Sequence, residues 1–368
     1  MQQAVVMTAC CVVAPALAVL VCHLGAYWGF LRLPGKGLQL TQIGAHGVDV
    51  FVVLSGVCLA LPLADRRRTL DARQFFGRRA LRILPAYWVA LAIAATLAAN
   101  AATWSLVVGA QADALDVLVH VPGAQTIASD TLGSINGSLW SVSLEIQLYL
   151  AFPLAILVWR RWGKRALLLL AMGVALLWWL TPLVLALPYP FSSLPGNGHA
   201  LPARFVQFAA GVAAADWLVE RRLPTGRRGV LASLLCLVVA TAGTTLEVPQ
   251  WVDAALWAVA GVACVGVVTG DWASSALRDT LEAFGLRTFS FYLLHQPVVL
   301  LLAPLVAAFP GGWVVQLLLG GALALLLICA LAEGLFRAVE LPSHELGKRL
   351  FPRVTMAPAA AKSDRGRS

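Results

Sequence analysis

Charge is scarce in this chain. Of its 368 residues only 12% are Asp, Glu, Lys or Arg, while 60% are hydrophobic, and mean hydropathy is +0.81. Soluble domains carry about 25% charged residues, so a water-facing globular fold is excluded and the bilayer is the solvent. Residues 1–31 contain no Lys or Arg, and no A-x-A site precedes a soluble region. The first apolar run therefore reads as a membrane span and not as a cleaved signal peptide. No CxxC is present. The seven cysteines (Cys10, Cys11, Cys22, Cys58, Cys236, Cys264, Cys329) are odd in number and fall in apolar runs. That suits small packing residues and argues against a disulfide framework or a metal site. No segment is long enough to fold alone outside the membrane. No internal repeat is visible, which counts against a transporter built from inverted repeats.

Long apolar runs are abundant. In hydrocarbon every backbone polar group must pair internally, so spans are helices or a closed barrel. The runs are continuous rather than alternating, which selects helices. Ten spans are expected, at 3–28, 44–63, 84–104, 138–159, 166–187, 203–219, 229–246, 250–270, 286–308 and 313–336. Basic residues gather after every second span: Arg66, Arg67, Arg68, Arg73, Arg78, Arg79 and Arg82; Arg160, Arg161, Lys164 and Arg165; Arg221, Arg222, Arg227 and Arg228; Arg278 and Arg287; then Arg337 and the tail. Of the 27 basic residues only Arg32, Lys36 and Arg204 fall elsewhere. By the positive-inside rule both termini are then cytoplasmic. The net charge of +9 is a topology signal, and no nucleic-acid partner is assigned. The expected fold class is all-α: a polytopic membrane bundle of about ten helices over residues 1–340, with a largely disordered cytoplasmic tail over 341–368. The segment Ser105 to Gly137 lacks Lys and Arg and carries Asp113, Asp116 and Asp130. Its stretch "ALDVLVHVPG" is apolar enough to dip into the membrane or cap the bundle.

The informative residues are the polar ones inside these runs. A carboxylate at the bilayer centre costs about 2.5–3.5 kcal/mol even on lenient scales. Glu145 lies about two turns into span 4, and Ser141, Glu145 and Tyr149 share one face at i, i+4, i+8. A buried carboxylate must pair or lose its charge, so Glu145 calls for a function or an essential polar partner. His23, at the outer end of span 1, could simply reach interfacial water. Asp49, at the start of span 2, could complement a helix dipole. His295, near mid-span 9 with Tyr292 at i−3, could hydrogen-bond a neighbouring helix. Their similar depths suggest instead one polar cavity opening outward. Arg79 and Arg82, at i, i+3 on the helix entering span 3, lie at the cytoplasmic face, where anchoring alone would account for them. Chemically, a neutral imidazole can take a hydroxyl proton, a carboxylate can orient it, and guanidinium groups pair with phosphates. The residues alone point to a membrane enzyme or transporter with an outward cavity and a cytoplasmic anion site.

Five stretches sharpen this. "GVDVFVVLSGV" (47–57), "RRALRILPAYW" (78–88), "LWSVSLEIQLYL" (139–150), "SFYLLHQPV" (290–298) and "VELP" (339–342) together resemble, in order, motifs of the acyltransferase 3 family. These are bacterial integral-membrane acyltransferases acting on surface polysaccharides, lipopolysaccharide and some macrolides. The resemblance implies a membrane O-acyltransferase of the bacterial cytoplasmic membrane. It would move an acyl group, expected to be acetyl, from cytoplasmic acyl-CoA as donor substrate to a hydroxyl of a surface glycan, lipid-linked sugar or macrolide. His23 would then be the general base, assisted by Glu145, and a covalent acyl-histidine step is compatible with the same residues. Arg78, Arg79 and Arg82 would hold coenzyme A phosphates. Asp49, Ser55, Trp140, Ser141, Tyr149, Tyr292 and His295 would line or brace the cavity. No permanent cofactor and no metal are implied. The chain departs from the family where a basic residue usually stands eleven positions before the span-1 histidine: here it is Val12. That departure points to a start further upstream or to a divergent, even inactive, member. Separately, Glu145 and His295 as intramembrane proton carriers would suit a proton-coupled transporter. With no hydrolase-like domain after span 10, transfer would be completed within the bundle.

Overall fold

The computed structural model describes residues 2–29, 40–64, 68–100, 113–127, 131–188, 196–268 and 275–352. Arg66, Arg67, Asp130 and the tail from residue 353 lie outside them. All regular structure among the described residues is helical, and seven helical runs are long and apolar enough to cross a membrane. In chain order the helices are α1 (Gln2–Tyr27), α2 (Gly47–Ala64), α3 (Ala72–Asn100), α4 (Ala114–His120), α5 (Trp140–Leu180), α6 (Leu201–Val219), α7 (Gly226–Thr245), α8 (Gln250–Val268), α9 (Ser275–Gly285), α10 (Thr288–Ala307) and α11 (Trp313–Leu350).

Local sequence explains the boundaries that matter. α3 starts well before its apolar part, so Arg73, Arg78, Arg79 and Arg82 ride on helix. α5 is two arms joined at Gly163, whose φ of 84° and ψ of 173° break the helix. A residue with a Cβ would be strained there, and Arg160, Arg161, Lys164 and Arg165 surround the break. α11 contains two π-helical turns, Gln316–Gly320 and Phe336–Glu340. It continues past residue 340, where a tail was expected, as Leu341–Leu350, packed along α3.

Packing follows the rules of a membrane interior, where small residues let helices approach. At the crossing of α2 and α6, a Cβ on Gly56 would fall 2.3 Å from the Phe208 carbonyl oxygen, and one on Gly211 would fall 2.0 Å from that of Val53. Phe208 beside this crossing, and Trp159, Tyr87 and Phe152 elsewhere in the core, are fully buried. α1 packs on α2, α9 and α10. Val12 packs against the apolar cluster of Val50, Leu54, Val57, Ala214 and Val265.

The segment after α4 folds into the bundle. Tyr87 Oη donates to the His120 carbonyl at 2.5 Å and Trp88 Nε1 to that of Val121 at 2.9 Å. Gln125 Nε2 donates to the Leu139 carbonyl at 2.8 Å, Ser143 Oγ to that of Gly123 at 2.5 Å, and Gln147 Nε2 to Thr126 Oγ1 at 2.6 Å. Gln147 lies seven residues, about 10 Å, along α5. Irregular backbone survives at such depth only where protein groups satisfy it, and here α3 and α5 do so.

Candidate active site

Two histidines from different helices meet inside the bundle. His23 Nδ1 lies 2.7 Å from His295 Nε2, and the rings are nearly parallel, at 7°. His295 Nδ1 lies 2.6 Å from the Tyr292 carbonyl oxygen. A carbonyl only accepts, so His295 carries its proton on Nδ1. In the neutral ring Nε2 is then an acceptor, and His23 must donate from Nδ1. One lone pair remains, on His23 Nε2. The backbone of α10 thus sets the tautomer of α1's histidine across two hydrogen bonds. Neighbours fix the pair. Tyr27 sits edge-on to His23 with ring centroids 5.4 Å apart. Gln296 Nε2 donates to Tyr27 Oη at 2.5 Å, and Gln296 Oε1 accepts from the Ser138 backbone N–H. Asn136 Nδ2 donates to the Leu293 carbonyl at 3.1 Å.

Glu145 belongs to a second group. It accepts a hydrogen bond from Tyr149 Oη, its i+4 neighbour. Among the described residues no hydrogen bond joins it to either histidine. The Arg79 guanidinium lies 5.3 Å from the Tyr149 ring centroid and 6.0 Å from that of Phe75. Arg82 is exposed yet lies within electrostatic reach of Tyr149, Glu145 and Glu340, residues of two other helices. Neither Arg79 nor Arg82 makes an ion pair with a described residue. Arg78 is different: its Nε donates to the Phe351 carbonyl at 2.7 Å. Tyr292 bridges the two groups, within hydrogen-bonding reach of Ser141 on the Glu145 face of α5. Glu340, from the "VELP" stretch, accepts from Ser290 Oγ at 2.5 Å, tying together the two C-terminal stretches singled out above. Ser55 is half-buried on α2 and is hydrogen-bonded to none of the other candidates.

Asp49 forms a third, saturated group. Its side chain is 2% exposed. Oδ2 accepts from His46 Nδ1 at 2.7 Å, and Oδ1 accepts from Arg204 Nη1 and, at 3.1 Å, from Gln207 Nε2. Arg204 also donates from Nε to the Gly198 carbonyl at 2.7 Å and lies 5.8 Å from the Trp140 ring. His199, in the connection before α6, meets Trp140 edge-on at 4.5 Å. Burial, with Arg204 adding to it, pushes His199 down to about 4. By hydrogen bonding the four residues fall into three groups: His23 with His295, Glu145 with Tyr149, and Asp49 with Arg204.

Sequence reasoning missed His46, Arg204, Gln207, Gln296 and Ser290. Arg204 left a signal, being the lone basic residue inside an apolar run on the unexpected side, at the depth of an Asp that needed a partner. Among the described residues no group of His, Cys, Asp and Glu could hold a metal. Five cysteines with described side chains are free.

Comparison with known proteins agrees with this architecture. Acyltransferase MdmB of Streptomyces mycarofaciens is 27% identical over 95% of this chain and 94% of its own length. Peptidoglycan O-acetyltransferase OatA of Listeria monocytogenes is 26% identical over 90% of this chain, which spans about half, 54%, of that relative. Exopolysaccharide production protein ExoZ of Rhizobium meliloti is 32% identical over 33% of this chain and 37% of its own length. No solved structure matches. The acyltransferase-domain family, acyltransferase 3, matches residues 16–333, and the chain belongs to that family.

Proposed function

We propose that the protein transfers an acyl group, acetyl in the first instance, from cytoplasmic acyl-CoA to a hydroxyl of a carbohydrate or macrolide-type acceptor presented at the other side of the bacterial cytoplasmic membrane. The observation that carries this reading is the hydrogen-bonded chain from the Tyr292 carbonyl through His295 to His23, which leaves His23 Nε2 as a free base. In the transfer, the acceptor oxygen bonds to the thioester carbonyl carbon as His23 Nε2 takes its proton. The carbon–sulfur bond breaks, and the proton passes to the leaving thiolate. His295 accepts from the imidazolium and shares its charge. Arg79 and Arg82, without carboxylate partners, suit the donor's phosphates. Glu145 acts beside the arginines rather than on His23: it holds Tyr149 under Arg79 and offsets positive charge when no donor is bound.

Topology supports the same direction. Splitting α5 at Gly163 and counting α1 and α6 brings the crossings to ten, with both termini on the side of the arginine-rich connections. Two relatives are named for peptidoglycan O-acetylation and exopolysaccharide production, which favours a surface glycan as acceptor. The test uses purified protein, labelled acetyl-CoA and a panel of glycan and macrolide acceptors. His23→Ala should lose about 10²–10⁴-fold in kcat, the usual worth of a general base. Undiminished transfer by that variant would remove His23 from the chemistry. Solute uptake without acylated product would replace an enzyme by a transporter.

A further inference from the structure

The terminal segment of α11, Leu341–Leu350, does not end in solvent. It runs antiparallel along the start of α3, the helix that carries Arg78, Arg79 and Arg82. Gly347 faces Leu81 and the Arg78 backbone: a Cβ there would lie 3.3 Å from Leu81 Cβ and 3.8 Å from Arg78 Cα. The Phe351 ring lies on Gly77 so closely that a Cβ on Gly77 would fall 2.4 Å from it. Arg78 Nε and Gln74 Nε2 donate to the carbonyls of Phe351 and Pro352 at 2.7 and 2.5 Å. Residues 74–78 therefore clasp residues 351 and 352.

This register aims one side chain at the arginines. His344 precedes Gly347 by three residues and shares its face, so it lies about one turn further along α3, level with Arg82. It is half-buried and lies within electrostatic reach of Arg82, Lys348, Glu345 and Arg79. The nearby carboxylates are engaged elsewhere: Glu345 accepts from Lys348 Nζ at 2.6 Å, Glu340 from Ser290 Oγ and Glu145 from Tyr149 Oη. Three nitrogen-bearing side chains from two helices thus converge with, among the described residues, no carboxylate hydrogen-bonded to them. That is a poor arrangement for an empty protein and a good one for a multiply charged phosphate ligand.

We propose that the terminal segment of α11 is the second wall of the anion site, and that His344 donates a hydrogen bond to a phosphate of the donor gripped by Arg79 and Arg82. The clasp of Phe351 on Gly77 fixes the wall's register. The inference rests on the acyl-CoA reading and adds to it a residue, a helix and a ligand part: the phosphates, rather than the pantetheine arm or the acyl group.

The experiment measures equilibrium binding of coenzyme A and of pantetheine, which lacks the phosphates, to the full-length protein in detergent. Wild type should prefer coenzyme A strongly. His344→Ala should weaken coenzyme A at least tenfold and leave pantetheine within twofold. His344→Gln, which keeps an N–H donor, should recover most of the loss. Phe351→Ala, which removes the clasp and no polar group, should weaken coenzyme A by a smaller factor, with the same selectivity. Equal coenzyme A binding by wild type and His344→Ala would overturn the inference and leave the donor reading standing. Wild type that binds neither ligand, or both alike, would overturn the donor reading and the inference with it. A thermal-unfolding midpoint unchanged in His344→Gln keeps the result free of folding effects.

Discussion

Asp49 and Arg82 are both charged side chains on helices of a membrane bundle, and they are treated in opposite ways. Asp49 is almost inaccessible and receives donors from His46, Arg204 and Gln207. Arg82 is exposed and, among the described residues, makes no ion pair, with Glu145 and Glu340 acting on it only at longer range. Breaking a buried pair by removing one partner leaves an uncompensated charge and costs about 3–5 kcal/mol. An exposed charge costs the fold less, because water or a ligand can reach it. The first arrangement is what a structural charge requires, and the second is what a binding charge requires. The histidine pair stands between them, with three of its four ring nitrogens accounted for or committed by tautomer and one free.

Four substitutions test that contrast, in descending order of effect. Asp49→Ala strands Arg204 and should cost about 3–5 kcal/mol of stability, read as a lowered unfolding midpoint in detergent. The double variant Asp49→Asn with Arg204→Met should be less harmed than either single change. Next, His295→Ala removes the acceptor that holds His23's tautomer. It should lower kcat about 10²-fold, roughly 2.7 kcal/mol, with KM for acetyl-CoA nearly unchanged; a KM effect alone would place His295 in donor binding instead. Third, Arg82→Met should raise KM for acetyl-CoA at least tenfold, about 1.4 kcal/mol, while the unfolding midpoint holds or rises. A fall in stability like that of the Asp49 variant would erase the distinction between the two charges. Smallest is the pH effect of His199. Its pKa in the fold, about 4, is below that of a free imidazole, about 6.5. The unfolded chain therefore binds the extra proton first, and stability falls as pH drops from about 6.5 toward 4. Unfolding midpoints from pH 7 to 5 should flatten in His199→Gln.

Much of this molecule was legible before any coordinates. Helicity followed from continuous apolar runs, because hydrocarbon leaves the backbone no other partner. The i, i+4 spacing of Glu145 and Tyr149 announced a contact that exists. Arg79 and Arg82 could be placed at one end of the bundle from charge distribution alone. Partner choice was not legible. Glu145 was expected to serve His23, yet one of its oxygens accepts from Tyr149, while His23 turns to His295, 272 residues away. Arg204 looked like an exception to the charge pattern and proved to be the answer to Asp49. The expected tail beyond residue 340 hid a helix, because its amphipathic pattern is short and its partner face lies on α3.

The sequence by itself determined the class of protein and the family. Composition and span length respond to the bilayer residue by residue, and the motif stretches are contiguous. The tertiary structure alone decided which polar group answers which. In a low-dielectric interior the energy of a charge or an imidazole depends on partners within a few ångströms, and those partners come from helices that only folding brings together. That is why a histidine's free lone pair, an aspartate's saturation and an arginine's exposure could be read only from the packed bundle.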